Sequence, residues 1–260
     1  MRLSRPVPLF ALTLALASCA GAPVLDRERL VDLTHAFDQD TVYWPGSRSF
    51  ELTRTAWGQD EAGHWYAAAE FCAAEHGGTH LDAPQHFAQD GRATDEIPLA
   101  DLVGPARVVD VERQCLAERD YLVSVDDLTR HEASEGRFAP GSVVLIRTGW
   151  SRSWPDRKRY LGSDDSEATA QLHFPGISAE AARLLADRRV ALVGIDTASL
   201  DHGPARDFPA HRVLAQAGVA GLENLTGLEL LPARGAMILA LPMKIAGGTG
   251  APARVVALLP

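Results

Sequence analysis

Short apolar runs separated by turn residues recur along the chain. Val42–Trp44 ahead of Pro45-Gly46, Ala106–Val111, Val143–Thr148, Val190–Ile195, Met237–Leu241 and Val255–Leu259 each read as a strand. Several of these runs are apolar at nearly every position, the pattern of strands covered on both faces in α/β or layered sheet folds. Helical spacing is clearest from Ser178 to Arg188, with Ser178 as N-cap, Glu180 in the first turn and Arg188-Arg189 closing the end. A second helix is predicted from about Ala210 to Ala217, stopped by Gly218. The polar stretch Ser151–Gln171 reads as a surface insertion or lid rather than a linker, and no internal repeat appears.

Composition narrows the class. Of the 260 residues, 46% are hydrophobic and 23% charged, enough apolar side chain for one large core and too much for a disordered or collagen-like chain. The net charge of −9 argues against nucleic acid and against a polybasic grip on anionic lipid. A small molecule or a protein remains as partner. Arg2 and Arg5 precede an apolar stretch, Val7–Ala17, that is too short to span a bilayer and has the form of a signal peptide. Its end, Leu16-Ala17-Ser18-Cys19, resembles the bacterial lipobox, in which the Cys becomes the lipidated first residue of the mature chain. The expected organisation is a leader over 1–18, lipidation at Cys19, a tether over 19–30 and one domain over 31–260. Ala20 after the Cys points to an exported protein on the outer membrane, facing the periplasm and touching lipid only through its anchor. The body has no further apolar stretch of membrane-spanning length and is expected to be soluble. Cys72 and Cys115 are too few to staple such a domain and read as small buried hydrophobes, with a disulfide between them as the alternative.

The chemistry concentrates in Glu75–Phe87, where His76, His80, Asp82 and His86 form an H-x3-H-x-D-x3-H pattern holding three of the nine histidines. An isolated His is most often a satisfied core or surface residue; four such groups in eleven positions need another explanation. Gly77-Gly78 and Pro84 disfavour a helix through the segment. An extended chain would hold His76 and His80 roughly 13 Å apart, so the glycines must fold the backbone for the two to converge. His80 and Asp82, two apart, share one side of a local strand. Imidazole and carboxylate suit zinc, manganese or iron, and a mixed set leaves a coordination position for water. Gly247-Gly248-Thr249-Gly250 lacks the Lys-Ser/Thr of a phosphate loop and reads as a tight turn before the last strand. Ser199-Leu200-Asp201-His202 has no nucleophile elbow, which leaves Asp201 and His202 a supporting or loop role.

These residues resemble the cyclase family, which includes bacterial kynurenine formamidases and isatin hydrolases. Its H-x-G-T-H-x-D-x-P-x-H signature is matched at every fixed position by His76 to His86. Further likeness lies in Tyr43–Gly46, Gly194–Ser199 and Leu222–Leu225, so the resemblance runs from Val31 to the C-terminus. It implies an α/β fold, a layered swivelling β/β/α domain, and one or two divalent metal ions, Zn or Mn. His76, His80 and Asp82 would be ligands, Asp82 bridging, with His86 as the proton-transfer residue. A remote His and a Glu twelve residues later complete the family's site, and His211 and Glu223 have that separation. Ions so held activate water for attack on an amide carbonyl. The implied function is metal-dependent hydrolysis of an aryl amide, foremost an N-formylkynurenine-like C–N bond. Opening of a cyclic amide such as isatin, or of a lactone, is the alternative. A metal-dependent binding lipoprotein is the non-enzyme reading, against which His86 speaks. Trp44 is the candidate aromatic wall for a small aromatic substrate, with Phe71 and Trp65 behind it, and a homodimer or homotetramer is expected. Formamidases of tryptophan breakdown are cytosolic and carry no lipobox, so the leader puts the substrate in question more than the chemistry.

Overall fold

A computed structural model of the chain describes residues 26–165 and 167–260. The leader, the lipobox and Cys19 lie outside the described residues. The strands are β1 (Leu30–Asp32), β2 (Glu51–Gln59), β3 (Trp65–Cys72), β4 (His80–Asp82), β5 (Val103–Asp110), β6 (Leu122–Val123), β7 (Val143–Arg147), β8 (Gly176–Ile177), β9 (Leu192–Ile195), β10 (Ala220–Glu223), β11 (Arg234–Pro242) and β12 (Gly250–Leu258). The helices are α1 (Leu99–Leu102), α2 (Glu112–Ala117), α3 (Val125–Glu135), α4 (Arg157–Leu161), α5 (Ala179–Asp187) and α6 (Pro209–Gln216).

Eight strands form one sheet in the order β1-β12-β11-β5-β7-β9-β10-β4, and β4 pairs with β12 as well as β10, closing it into a barrel. β5, β7, β9 and β10 run parallel, and the pairings of β1, β4, β11 and β12 are antiparallel. The apolar runs are explained by burial on both faces. Val143, Leu145, Ala106, Val108 and Leu192 fill the barrel with Leu81 and Leu222. Val144, Ile146, Val109, Val193 and Ile195 face outward against Leu128 of α3, Leu185 of α5 and Leu214 of α6. The expected layered α/β arrangement is therefore a closed sheet with helices on the outside of its parallel strands.

Four of the predicted strands overlap β5, β7, β9 and β12, each overrunning its strand by one or two residues, Met237–Leu241 lies within β11, and the two helices are α5 and α6. Ser178 caps α5 by accepting from the Ala181 amide. Val42–Trp44 is not a strand: Tyr43 makes only an isolated bridge to Gly77. The hairpin of β2 and β3 has no counterpart in the sequence reading, because almost all its residues are exposed and no alternation marks it. The 151–171 stretch is only partly surface. Tyr160 and Leu161 on α4 are wholly buried with Val42, Leu172 and Phe174. Cys72 lies exposed on β3 and Cys115 is buried, both free, so the disulfide is absent and only Cys115 is a core residue. β1 begins at Leu30, opposite Leu258, one residue inside the expected tether. Among the described residues no helix is long and apolar enough to cross a membrane.

Candidate active site

β4 is three residues long and does two jobs. Leu81 points into the barrel, so His80 and Asp82 face the other way. Its register sets Leu81 opposite Leu222 and His80 opposite Glu223, which brings Glu223 onto the face of His80. Gly78, with φ of +57°, folds the chain back so that the His76 and His80 ring centroids lie 5.4 Å apart. His211 stands in the first turn of α6 behind Pro209. There Asp201 accepts from the Ala210 amide at 2.7 Å, the His211 amide at 3.2 Å and His211 Nδ1 at 2.6 Å. One carboxylate thus caps the helix and aims the ring.

The hydrogen bonds set which nitrogen of each ring faces inward. With its Nδ1–H given to Asp201, His211 turns Nε2 to Asp82 Oδ2 at 3.1 Å and Glu223 Oε1 at 2.9 Å. His80 gives Nδ1–H to the Gly78 carbonyl at 2.9 Å. Its Nε2, buried and without a hydrogen-bond partner, looks at Asp82 Oδ1 at 3.1 Å and Glu223 Oε2 at 3.5 Å. His76 Nδ1 is 2.7 Å from Asp82 Oδ1. Imidazole lone pairs and carboxylate oxygens at such distances repel unless a positive charge lies between them. Two groups result, His76-His80-Asp82 and Asp82-His211-Glu223, the candidate ligand atoms of each within 4.8 Å of one another and Asp82 common to both. Three imidazoles and two carboxylates fit a pair of divalent cations of zinc or manganese type.

Without metal, protons supply that charge. Burial opposes a charged His80, but Asp82 and Glu223 overcome it and hold the ring up to about 9. His211 is likewise raised despite burial, by Asp201, Asp82 and Glu223. Burial would raise Asp82, yet the three surrounding imidazoles keep it well below the carboxylate range. Glu223 is raised by burial and by the charge of Asp82.

His86 belongs to neither group. It stacks on His76 with centroids 3.8 Å apart, and burial pushes it down to about 4, so it is neutral near pH 7. The cluster forms the floor of a cavity of about 270 Å³ walled by Trp44, Phe87 and Phe208. Trp44 and Phe87 each approach Phe208, with centroids 5.8 and 5.3 Å apart. Trp65 and Phe71 are not wall residues: they are exposed on the β2–β3 hairpin. The sequence reading missed Phe87 and Phe208, although each adjoins a motif it used, His86-Phe87 and Phe208-Pro209-Ala210-His211. It also missed what Asn224 does. This residue donates to the Gly78 carbonyl at 2.8 Å and accepts from Tyr160 at 3.0 Å, tying α4 to the loop that aims His80. Asp201 supports the site, as expected, by holding His211.

The cyclase family profile matches residues 31–202. The chain belongs to the cyclase family. It is 33% identical to the isatin hydrolase of Roseibium aggregatum over 210 residues, covering 77% of this chain and 78% of that one. It is 34% identical to the kynurenine formamidase of Salinibacter ruber over 233 residues, covering 87% and 96%. The solved isatin hydrolase A from Ralstonia solanacearum superposes with a TM-score of 0.81 at 34% identity, over 89% of this chain and 92% of that one. Both of these relatives are hydrolases by name or reaction, and this chain carries the His76–His86 motif on a floor able to hold cations.

Proposed function

We propose that the protein is a metal-dependent amidohydrolase that cleaves the C–N bond of a compact aryl amide. The observation that carries this is the pair of ligand groups sharing Asp82 beneath an aromatic-walled cavity, with His86 beside them but outside both. His76, His80, Asp82, His211 and Glu223 would hold divalent cations, which would supply Lewis acidity toward an amide carbonyl and a water molecule. Trp44, Phe87 and Phe208 flank an aryl ring and keep bulk water from it. His86, neutral near pH 7, takes a proton from the nucleophile on a ring nitrogen and returns it to the departing aryl nitrogen.

Within aryl amides, a cyclic substrate such as isatin is the better fit. Among the described residues lining the cavity there is no Lys or Arg, and the only carboxylates are Asp82 and Glu223. An uncharged ring system needs no counter-charge, whereas the amino-acid head of N-formylkynurenine does. The likeness to a kynurenine formamidase supports the formamide as the second reading. The test is hydrolysis of isatin and N-formylkynurenine side by side by the zinc- and manganese-loaded protein, with metal analysis. Turnover of the cyclic amide in excess of the formamide is expected. Binding without turnover of any amide or ester would point instead to a metal-dependent binding protein.

Two further readings belong to this proposal. The basic, apolar leader supports export and lipid anchoring at Cys19 to the outer membrane. Cys19→Ser is expected to abolish lipid labelling and release the protein from the membrane fraction; a wild-type chain beginning elsewhere would refute the anchor. The exposed aromatic hairpin supports self-association as a homodimer or homotetramer.

A further inference from the structure

The glycine-rich turn Gly247–Gly250 is no anion cradle. Thr249 Oγ1 lies 2.6 Å from Glu75 Oε2 and 3.0 Å from His76 Nε2, and the Thr249 amide donates to the same Glu75 oxygen at 3.1 Å. A carboxylate can only accept. The hydroxyl proton is therefore committed to Glu75, and the hydroxyl oxygen is left to accept from His76. His76 must then carry its proton on Nε2 and turn the Nδ1 lone pair toward Asp82. The glycines make this contact reachable: a Cβ on Gly250 would lie 2.4 Å from the His76 ring, and one on Gly248 would lie 3.0 Å from Glu75 Oε1. The turn is tied down as well, since the Thr94 amide and hydroxyl both donate to the Gly248 carbonyl and the Ala83 amide to the Thr249 carbonyl, each at 2.9 Å.

We propose that Thr249 and Glu75 are a positioning pair that fixes the metal-binding tautomer of His76. In the opposite tautomer Nδ1–H would donate to Asp82 Oδ1 and use up the inward lone pair of one ligand and an acceptor site of another. Bonds to the far nitrogen of a ligand histidine typically govern metal affinity by about 10–100-fold. The pair acts on the His76-His80-Asp82 group and has no contact with His211 or Glu223.

The inference rests on the metal-dependent reading of the site, and the test separates the two. Zn²⁺ is titrated calorimetrically into the metal-stripped protein and into Thr249→Val, Thr249→Ser and Glu75→Ala. Wild type is expected to bind two ions. Thr249→Val should weaken one of them by about 10–100-fold and leave the other within a few-fold, Glu75→Ala should weaken the same one, and Thr249→Ser should restore it. Long-range proton–nitrogen spectra of the zinc-loaded wild type should show the His76 proton on Nε2. Wild type that takes up no zinc would overturn the metal-dependent function and this inference with it. Wild type that binds two ions while Thr249→Val and Glu75→Ala do the same, or a His76 proton on Nδ1, would overturn the positioning pair alone. Should Thr249→Val fail to fold, the Glu75→Ala titration and the wild-type spectrum decide the matter.

Discussion

Asp82 and His86 are four residues apart in one motif, and their surroundings give them different work. Asp82 is buried, touches three imidazoles and belongs to both ligand groups. Asp82→Ala is expected to cost both ions, read as loss of stoichiometric zinc by elemental analysis. His86 meets the cluster through its ring alone, stacked on His76 and edge-on to His211 with centroids 6.3 Å apart. His86→Ala should keep the metal while kcat on an aryl amide falls about 10²–10⁴-fold, the usual worth of a placed proton carrier. An activated aryl ester, whose leaving group needs no proton, should lose far less. Equal losses on ester and amide would sink the proton-transfer role, and a loss confined to KM would make His86 a binding residue. The four motif residues were legible because they are close in sequence, and His211 and Glu223 because a known spacing links them. Asp201 and Thr249 were not assigned their contacts in advance. Thr249 meets His76 across 173 residues, and no local pattern reports such a meeting.

Among the elements, the first turn of α6 is where stability and chemistry share one group. Asp201 satisfies two amides of that turn and the Nδ1 of His211. Asp201→Ala should therefore cost about 0.5–2 kcal/mol through the lost cap and, separately, weaken zinc at the Asp82-His211-Glu223 group by about 10–100-fold. Calorimetric titration beside thermal melting separates the two effects, and a variant that loses stability but binds zinc as wild type does would reduce Asp201 to a cap. Helices α5 and α6 could be read in advance because their stop and start signals are local. β4 could be read only in part. Alternation placed His80 and Asp82 on one side, but its pairing with both β10 and β12 depends on edges supplied by chain more than 130 residues away. The Val42–Trp44 segment shows the reverse error: an apolar run adopts no strand because its side chains are needed under α4 and in the cavity wall.

Over the whole molecule, the β2–β3 hairpin stands out from the packed body. Leu52, Trp57, Trp65, Tyr66 and Phe71 are each more than half exposed, and aromatic exposure of this kind marks association surfaces. Trp57→Ser with Trp65→Ser is expected to lower the assembly state in light scattering, and a wild-type monomer would refute self-association. Proton linkage gives a second test at this scale. His80, held up to about 9, binds a proton in the metal-free fold that the unfolded chain releases near its ordinary 6.5. That stabilisation is full below about 6.5 and is lost as pH rises through about 9. His86 and His35, pushed down to about 4 by burial, act on the other side, and their stabilisation is lost as pH falls from 6.5 through about 4. The metal-free protein should thus melt highest near about pH 6.5, and bound zinc, taking over the inward nitrogen of His80, should remove the alkaline fall; parallel melting curves across pH check both. The sequence by itself determined the α/β class, the apolar runs of β5, β7, β9, β11 and β12, helices α5 and α6, and the His76–His86 cluster able to bind cations, because periodicity and residue chemistry are local properties. Tertiary structure alone decided that the sheet closes through β4, that Phe87 and Phe208 join Trp44 as walls, and that Asp201 and Thr249 reach His211 and His76. The physical reason is that a side chain's pattern reports that it will be buried or bonded, while its partner is chosen by packing among segments the chain brings together only on folding.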